Sequence, residues 1–177
     1  MKIAAGLVAV LLILLGMIAL VGNQDGSISL GEPSETANPV VDSSRVTGEE
    51  KAYLEFVINA LQSTSTDINT LGVLFSEPAF EDEYWRASTT VLLNRIELAY
   101  DAIAPLQPSS RLQAFQASSV SALDHSGEFA RIIRGLLVEG TVELTDEAAV
   151  ELVAAAEAFG EAEGLLSEFL ESHTLPE

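Results

Sequence analysis

No cysteine occurs anywhere in this chain of 177 residues, and it holds only two histidines, two methionines and one tryptophan. Each shortage closes a chemistry. Without cysteine there is no disulfide framework, no thiolate metal site, no thiol-linked lipid anchor and no covalently attached haem. A haem held by His and Met would need a methionine in the body of the protein, but Met1 and Met17 are the only two and both lie in the apolar N-terminal stretch. A di-iron centre of the helical-bundle kind needs Glu three residues before His, so that both ligands share a helix face. Ala122 and Leu170 occupy those positions before His125 and His173. No G-x-S-x-G elbow, phosphate loop or dinucleotide fingerprint is present.

Basic residues are scarce too, 8 against 27 acids for a net charge of -19. Nucleic acids and anionic membrane surfaces are recognised through clustered Lys and Arg, so neither is expected as a partner. From residue 45 onward 23 acids face 7 bases, which leaves -16 on that part alone. Such a surface favours solubility and cationic partners without specifying a fold.

What the chain has in abundance, first, is an oily start. MKIAAGLVAVLLILLGMIALVG carries no charged or strongly polar side chain from residue 3 to 22, and 20 helical residues span roughly 30 Å, the thickness of a bilayer core. A cleaved signal would show a shorter apolar run and small residues three and one before the cut. Cuts after Ala19, Gly22 or Ser27 would place Met17, Leu20 or Asp25 at the third position, so a retained signal anchor is the reading and a cleaved signal the alternative. Lys2 on one flank and Asp25, Glu32 and Glu35 beyond the other put the N-terminus inside and the remainder outside the cytoplasmic membrane. Residues 23–46, rich in Gly, Ser, Pro and Asn without periodicity, read as a flexible polar linker.

Beyond it, residues 47–177 carry four helical patterns. The first opens at Thr47, three before Glu50 in capping-box spacing, and runs to about Ser76 with Leu54, Val57, Leu61, Ile68, Leu71 and Phe75 on one face, interrupted by Thr64. The second follows Ser76 and Pro78, with Trp85, Leu92, Ile96, Ala99, Ile103 and Leu106, and stops around Pro105 and Pro108. Ser110 and Gln113 have capping-box spacing for the third, whose stripe is Leu112, Phe115, Ser119, Ala122, Ser126, Phe129, Ile133 and Leu136 and whose stop is Gly140. The fourth starts after Thr145 with Ala148, Leu152, Ala155, Phe159, Ala162, Leu166 and Phe169, its acids Glu147, Glu157, Glu161, Glu168 and Glu171 on the opposite face. Rods of roughly 27 to 29 residues joined by short connections pack antiparallel at shallow angles, so an all-α, up-down-up-down four-helix bundle is expected.

Candidate functional residues are few. His125 has Asp124 beside it, but adjacent helical residues point about 100° apart and do not support one another as base and orienting acid. His173 suits the negative end of the last helix. Glu77, Glu81, Asp82 and Glu83 suggest calcium, yet acids in a first helical turn are accounted for by its unsatisfied amides. Gly160 and Gly164, with Ala149 and Ala156, form a small-residue track that suits a close helix contact or a wet surface. Trp85, with Tyr84 and Phe80, serves as core anchor or binding patch. Ser119, Ala122, Ser126 and Thr64 make the bundle's middle lean beside Leu61, Leu92, Ile96 and Phe159, which implies tight helix approach or a small cavity.

No residue is therefore assigned a catalytic, cofactor-binding or metal-ligating role, and no cofactor is expected. In layout alone the chain resembles N-terminally anchored helical proteins of bacterial cell envelopes. The expected function is a non-enzymatic, membrane-anchored extracytoplasmic interaction module with a protein partner in the envelope and possible homo-oligomers. The alternative is a ligand- or cation-binding, sensor-like helical bundle.

Overall fold

A computed structural model describes residues 45–141 and 143–173. The expected anchor at 1–22 and most of the linker at 23–46 lie outside the described residues. Four α-helices and one 3-10 turn make up the regular structure, with no strand among the described residues: α1 Gly48–Ser76, α2 Glu83–Ile103, the turn Ser110–Leu112, α3 Gln113–Val138 and α4 Asp146–Ser172. The fold is all-α and bundle-like. No helix among the described residues is long and apolar enough to cross a membrane.

Helix α1 begins as its capping box requires. Thr47 N–H donates to Glu50 Oε2 at 2.9 Å, and Glu50 N–H donates to Thr47 Oγ1 at 3.2 Å. Its predicted face is the buried one, with Leu54, Val57, Leu61, Thr64, Ile68 and Leu71 inside and Phe75 half-buried. Val46, the last residue of the expected linker, is 3% exposed and belongs to the core.

Helix α2 is shorter than expected, 21 residues rather than a run starting behind Pro78. The residue before a proline is pushed out of the helical region, and Glu77 there has φ -136° and ψ 75°. The hydroxyl of Ser76 donates backwards to Val73 O, whereas Asp82 accepts from Trp85 N–H at 2.8 Å and becomes the cap. At the other end Ala104 N–H still reaches Tyr100 O, after which Pro105 offers no donor. Glu77 and Glu81 consequently lie in the connector, and of the acidic cluster only Glu83 is in the first turn.

The capping box expected at Ser110 and Gln113 does not form. Ser110–Leu112 is a 3-10 turn, and the neighbouring Ser109 hydroxyl donates at 2.6 Å to Glu50 Oε1 on α1 instead of capping α3. The bond to the buried carboxylate is charge-assisted, and no serine oxygen accepts from the first amides of the turn or of α3. At its far end α3 closes with Gly140 at φ +75° and Thr141 N–H on Leu136 O, the left-handed stop that glycine adopts without a Cβ clash. Thr145 then caps α4, accepting from Ala148 N–H.

Helix α3 touches all three other helices. Arg95 of α2 meets Asp67 of α1, and Trp85 meets Leu74; Arg134 of α3 meets Glu97 of α2, and Gln116 meets Ile103; His125 of α3 meets Glu151 of α4, and Ser118 meets Ala158. In each pair the numbering rises on one helix as it falls on the other, so the contacts are antiparallel. Glu50 to Arg111 and Tyr53 to Gln116 join the beginnings of α1 and α3.

The lean middle is packed. Thr64, Ser119, Ala122 and Ser126 are all buried, and Ser118 Oγ donates to the backbone oxygen of Ala158 at 3.1 Å, an approach only small side chains permit.

Candidate ligand groove

The end of the protein where α1 stops, α2 starts and α3 turns holds the most distinctive site. Trp85 is set by the Asp82 cap, and its indole N–H donates to Leu74 O at 3.0 Å, satisfying one of the last carbonyls of α1. Phe80 from the connector stands edge-on to it at 5.3 Å between ring centroids, and Phe75 lies tilted to it at 6.1 Å. Trp85 is 6% exposed and is thus a core anchor, yet its ring also forms one wall of an open groove of about 480 Å³. Leu93, Leu137 and the exposed Val138 extend the apolar lining, and Gly140 closes the rim.

Three polar groups meet this lining. Arg134 is already engaged, its Nε at 3.0 Å from Glu97 Oε1 and its Nη2 at 2.9 Å from Asn94 Oδ1. Arg86 forms no ion pair among the described residues, in a protein where most arginines do. Thr89, one helical turn from Arg86, is 0% exposed, and its hydroxyl has no hydrogen-bond partner among the described residues. An unsatisfied buried hydroxyl costs about 1–3 kcal/mol unless a partner arrives. A concave, mainly apolar surface with a few convergent polar groups is the usual form of a small-molecule site, and 480 Å³ falls within the common size range.

The other residues singled out from the sequence take simpler roles. His125 Nδ1 lies 2.7 Å from Glu151 Oε2, a partner on the next helix rather than the adjacent Asp124. His173 Nδ1 sits 2.7 Å from Phe169 O and its ring stacks on Phe169, as a histidine at a helix end would. No group of three or more His, Asp or Glu able to hold a metal occurs among the described residues. Gly160 and Gly164 are exposed, and a Cβ on either would meet nothing within 4 Å, so these two are wet surface within this chain, whereas Ala156 of the same track is buried in the core.

Elsewhere the polar groups organise structure. Glu50 accepts from Thr47 N–H, from the Ser109 hydroxyl and from Arg111, whose guanidinium also reaches Arg45 O and lies over the Phe169 ring. Burial pushes the Glu50 carboxyl up, but the bonds from Ser109, Thr47 and Arg111 and the guanidinium charge outweigh it and hold it down at about 2. At Asp67 burial prevails over the Arg95 charge, and the carboxyl is raised.

Arg86, Thr89 and Arg134 were not found by sequence reasoning. The usable signal was a threonine on the buried face of α2, four residues after Trp85, together with the rarity of bases in an acidic chain. No family model, curated protein or solved structure matches the chain.

Proposed function

We infer that this protein is a non-enzymatic interaction module of the cell envelope: an up-down-up-down four-helix bundle carried outside the cytoplasmic membrane by the apolar segment 1–22 and the polar linker 23–46. The observation that carries the reading is an apolar stripe that the bundle does not use. Tyr84, Val91 and Leu98 recur every seventh residue along α2, all exposed, Tyr84 at 82%. Seven-residue spacing keeps side chains on one helix face, and exposed large apolar groups in register mark a surface suited to a partner helix. The antiparallel pairing of successive helices supports the bundle topology, and the apolar N-terminal segment with its flanking charges supports the location. Photo-crosslinking from position 91 in intact cells tests it. A discrete adduct to one envelope protein, lost in Leu98→Glu, is expected; no adduct, or a C-terminal tag found on the cytoplasmic side, overturns it.

The groove beside Trp85 favours a second reading, a ligand-binding, sensor-like bundle. A small-molecule panel monitored by melting temperature tests that one, and a flat response across amphiphiles, cations and metabolite classes counts against it.

A further inference from the structure

Resting on that second reading, we propose that the groove between α2 and the end of α3 binds a free, single-chain carboxylate amphiphile, its hydrocarbon tail on Phe80, Trp85, Leu93 and Val138 and its head group on Arg86 and the Thr89 hydroxyl. The apolar lining sets the tail. Charge sets the head. On a chain of net charge -19 the general field draws cations and repels anions, so an arginine without an ion pair at an apolar groove, one turn beyond Asp82 and Glu83, is the group there that an anion would meet. Arg134 on the opposite wall is neutralised by Glu97 and leaves Arg86 as the charge to be met. Thr89 lines the groove one helical turn from Arg86, and because it is 0% exposed its hydroxyl meets the head group only once its side chain turns outward. A carboxylate there would accept from both, satisfying a buried donor that has no other partner among the described residues. The size matches a small amphiphile better than a protein segment, since the groove of about 480 Å³ lies within the range of single-ligand pockets.

Trp85 is the only tryptophan in the chain and forms the groove wall, so its fluorescence reads this site alone. The full chain is placed in phosphatidylcholine vesicles, which contribute no tryptophan, and titrated below micelle formation with octanoate, octylammonium and octanol. The expected result is a saturable change in Trp85 emission with octanoate, at least tenfold weaker with octanol and absent with octylammonium. In Arg86→Glu the octanoate affinity falls at least tenfold, and in Thr89→Val severalfold, while circular dichroism of both variants stays helical. Equal responses to the three head groups, or octanoate binding unchanged in Arg86→Glu, overturn the proposal. A Trp85 response to vesicles doped with anionic phospholipid in place of octanoate also overturns it, since the site would then read a membrane surface. If octanoate fails while another compound class shifts Trp85 emission, the carboxylate assignment falls and the ligand-binding reading stands; if no compound does, both fall.

Discussion

The two ends of this protein are built on opposite principles. Where α1 and α3 begin, Glu50 collects bonds from Thr47, Ser109 and Arg111, Gln116 joins Tyr53 to the closing carbonyls of α2, and His173 and Phe169 finish α4. About 40 Å away, at 1.5 Å per residue along α1, the end around Trp85 has an apolar groove, a cation without an ion pair among the described residues and a buried hydroxyl without a bond. One end is saturated and the other is not. Polar saturation secures stability, whereas unmet polar groups beside apolar surface cost stability and leave something for a ligand to satisfy.

The largest effect should come from unbalancing the saturated end. Arg111→Met leaves the Glu50 carboxylate buried with fewer partners, and a loss of about 3–5 kcal/mol in urea-unfolding free energy is expected. Arg86→Met at the groove end should change it by less than about 0.5 kcal/mol, because that side chain is exposed and without an ion pair. Similar losses for both variants would erase the contrast.

Proton linkage sharpens it. Glu50 has its carboxyl lowered from 4.5 to about 2, so its contribution is fully present above pH 4.5 and is lost as pH falls through 2. Melting temperature followed from pH 6 to 2 should drop less steeply in Glu50→Gln than in the parent chain, from a lower starting value. Parallel slopes would remove Glu50 as the acid-labile group.

Tyr53 belongs to the same end. Burial raises its hydroxyl from 10.0 to about 12, so its contribution is present below pH 10 and lost as pH rises through 12. Tyr53→Phe removes the hydrogen bond to Gln116, with an expected cost of about 1 kcal/mol at pH 7 and a flatter alkaline limb.

Between the two ends, Asp67 is buried with its carboxyl raised, so its charge opposes folding increasingly as pH rises through the shifted value. Asp67→Asn should leave stability at pH 7 unchanged or raise it by up to about 1 kcal/mol, because Arg95, its partner, is largely exposed. At Thr89 a small gain is expected. Replacing its unpartnered hydroxyl by the isosteric Val should stabilise the unliganded protein by about 0.5–1 kcal/mol, the opposite sign to its effect on octanoate binding. A destabilised Thr89→Val would mean that the hydroxyl already serves the fold.

How much of this could be read beforehand depends on the range of the interaction. The α1 start at Thr47, the α4 start at Thr145 and the stop at Gly140 are local devices within six residues, and each appears where its pattern lies. The apolar faces of α1, α3 and α4 follow from helical period in the same way. The start of α3 differs because a 3-10 turn occupies Ser110–Leu112 and the neighbouring Ser109 binds a carboxylate 59 residues away, and α2 starts late because Pro78 keeps Glu77 out of the helix and Asp82 supplies the cap. The groove was illegible for the same reason, since its walls come from α2 and α3 and its significance lies in which arginine finds a carboxylate.

The amino-acid sequence alone determined the helices, their apolar faces and the scarcity of metal- and thiol-based chemistry, because side-chain periodicity and residue type act over one or two turns. Tertiary structure alone decided which carboxylate took which cation, where Ser109 spent its hydroxyl and which arginine and threonine were left over beside Trp85. Pairing of that kind depends on distances between helices far apart in the chain, and a burial or ion-pair energy exists only once those helices have met.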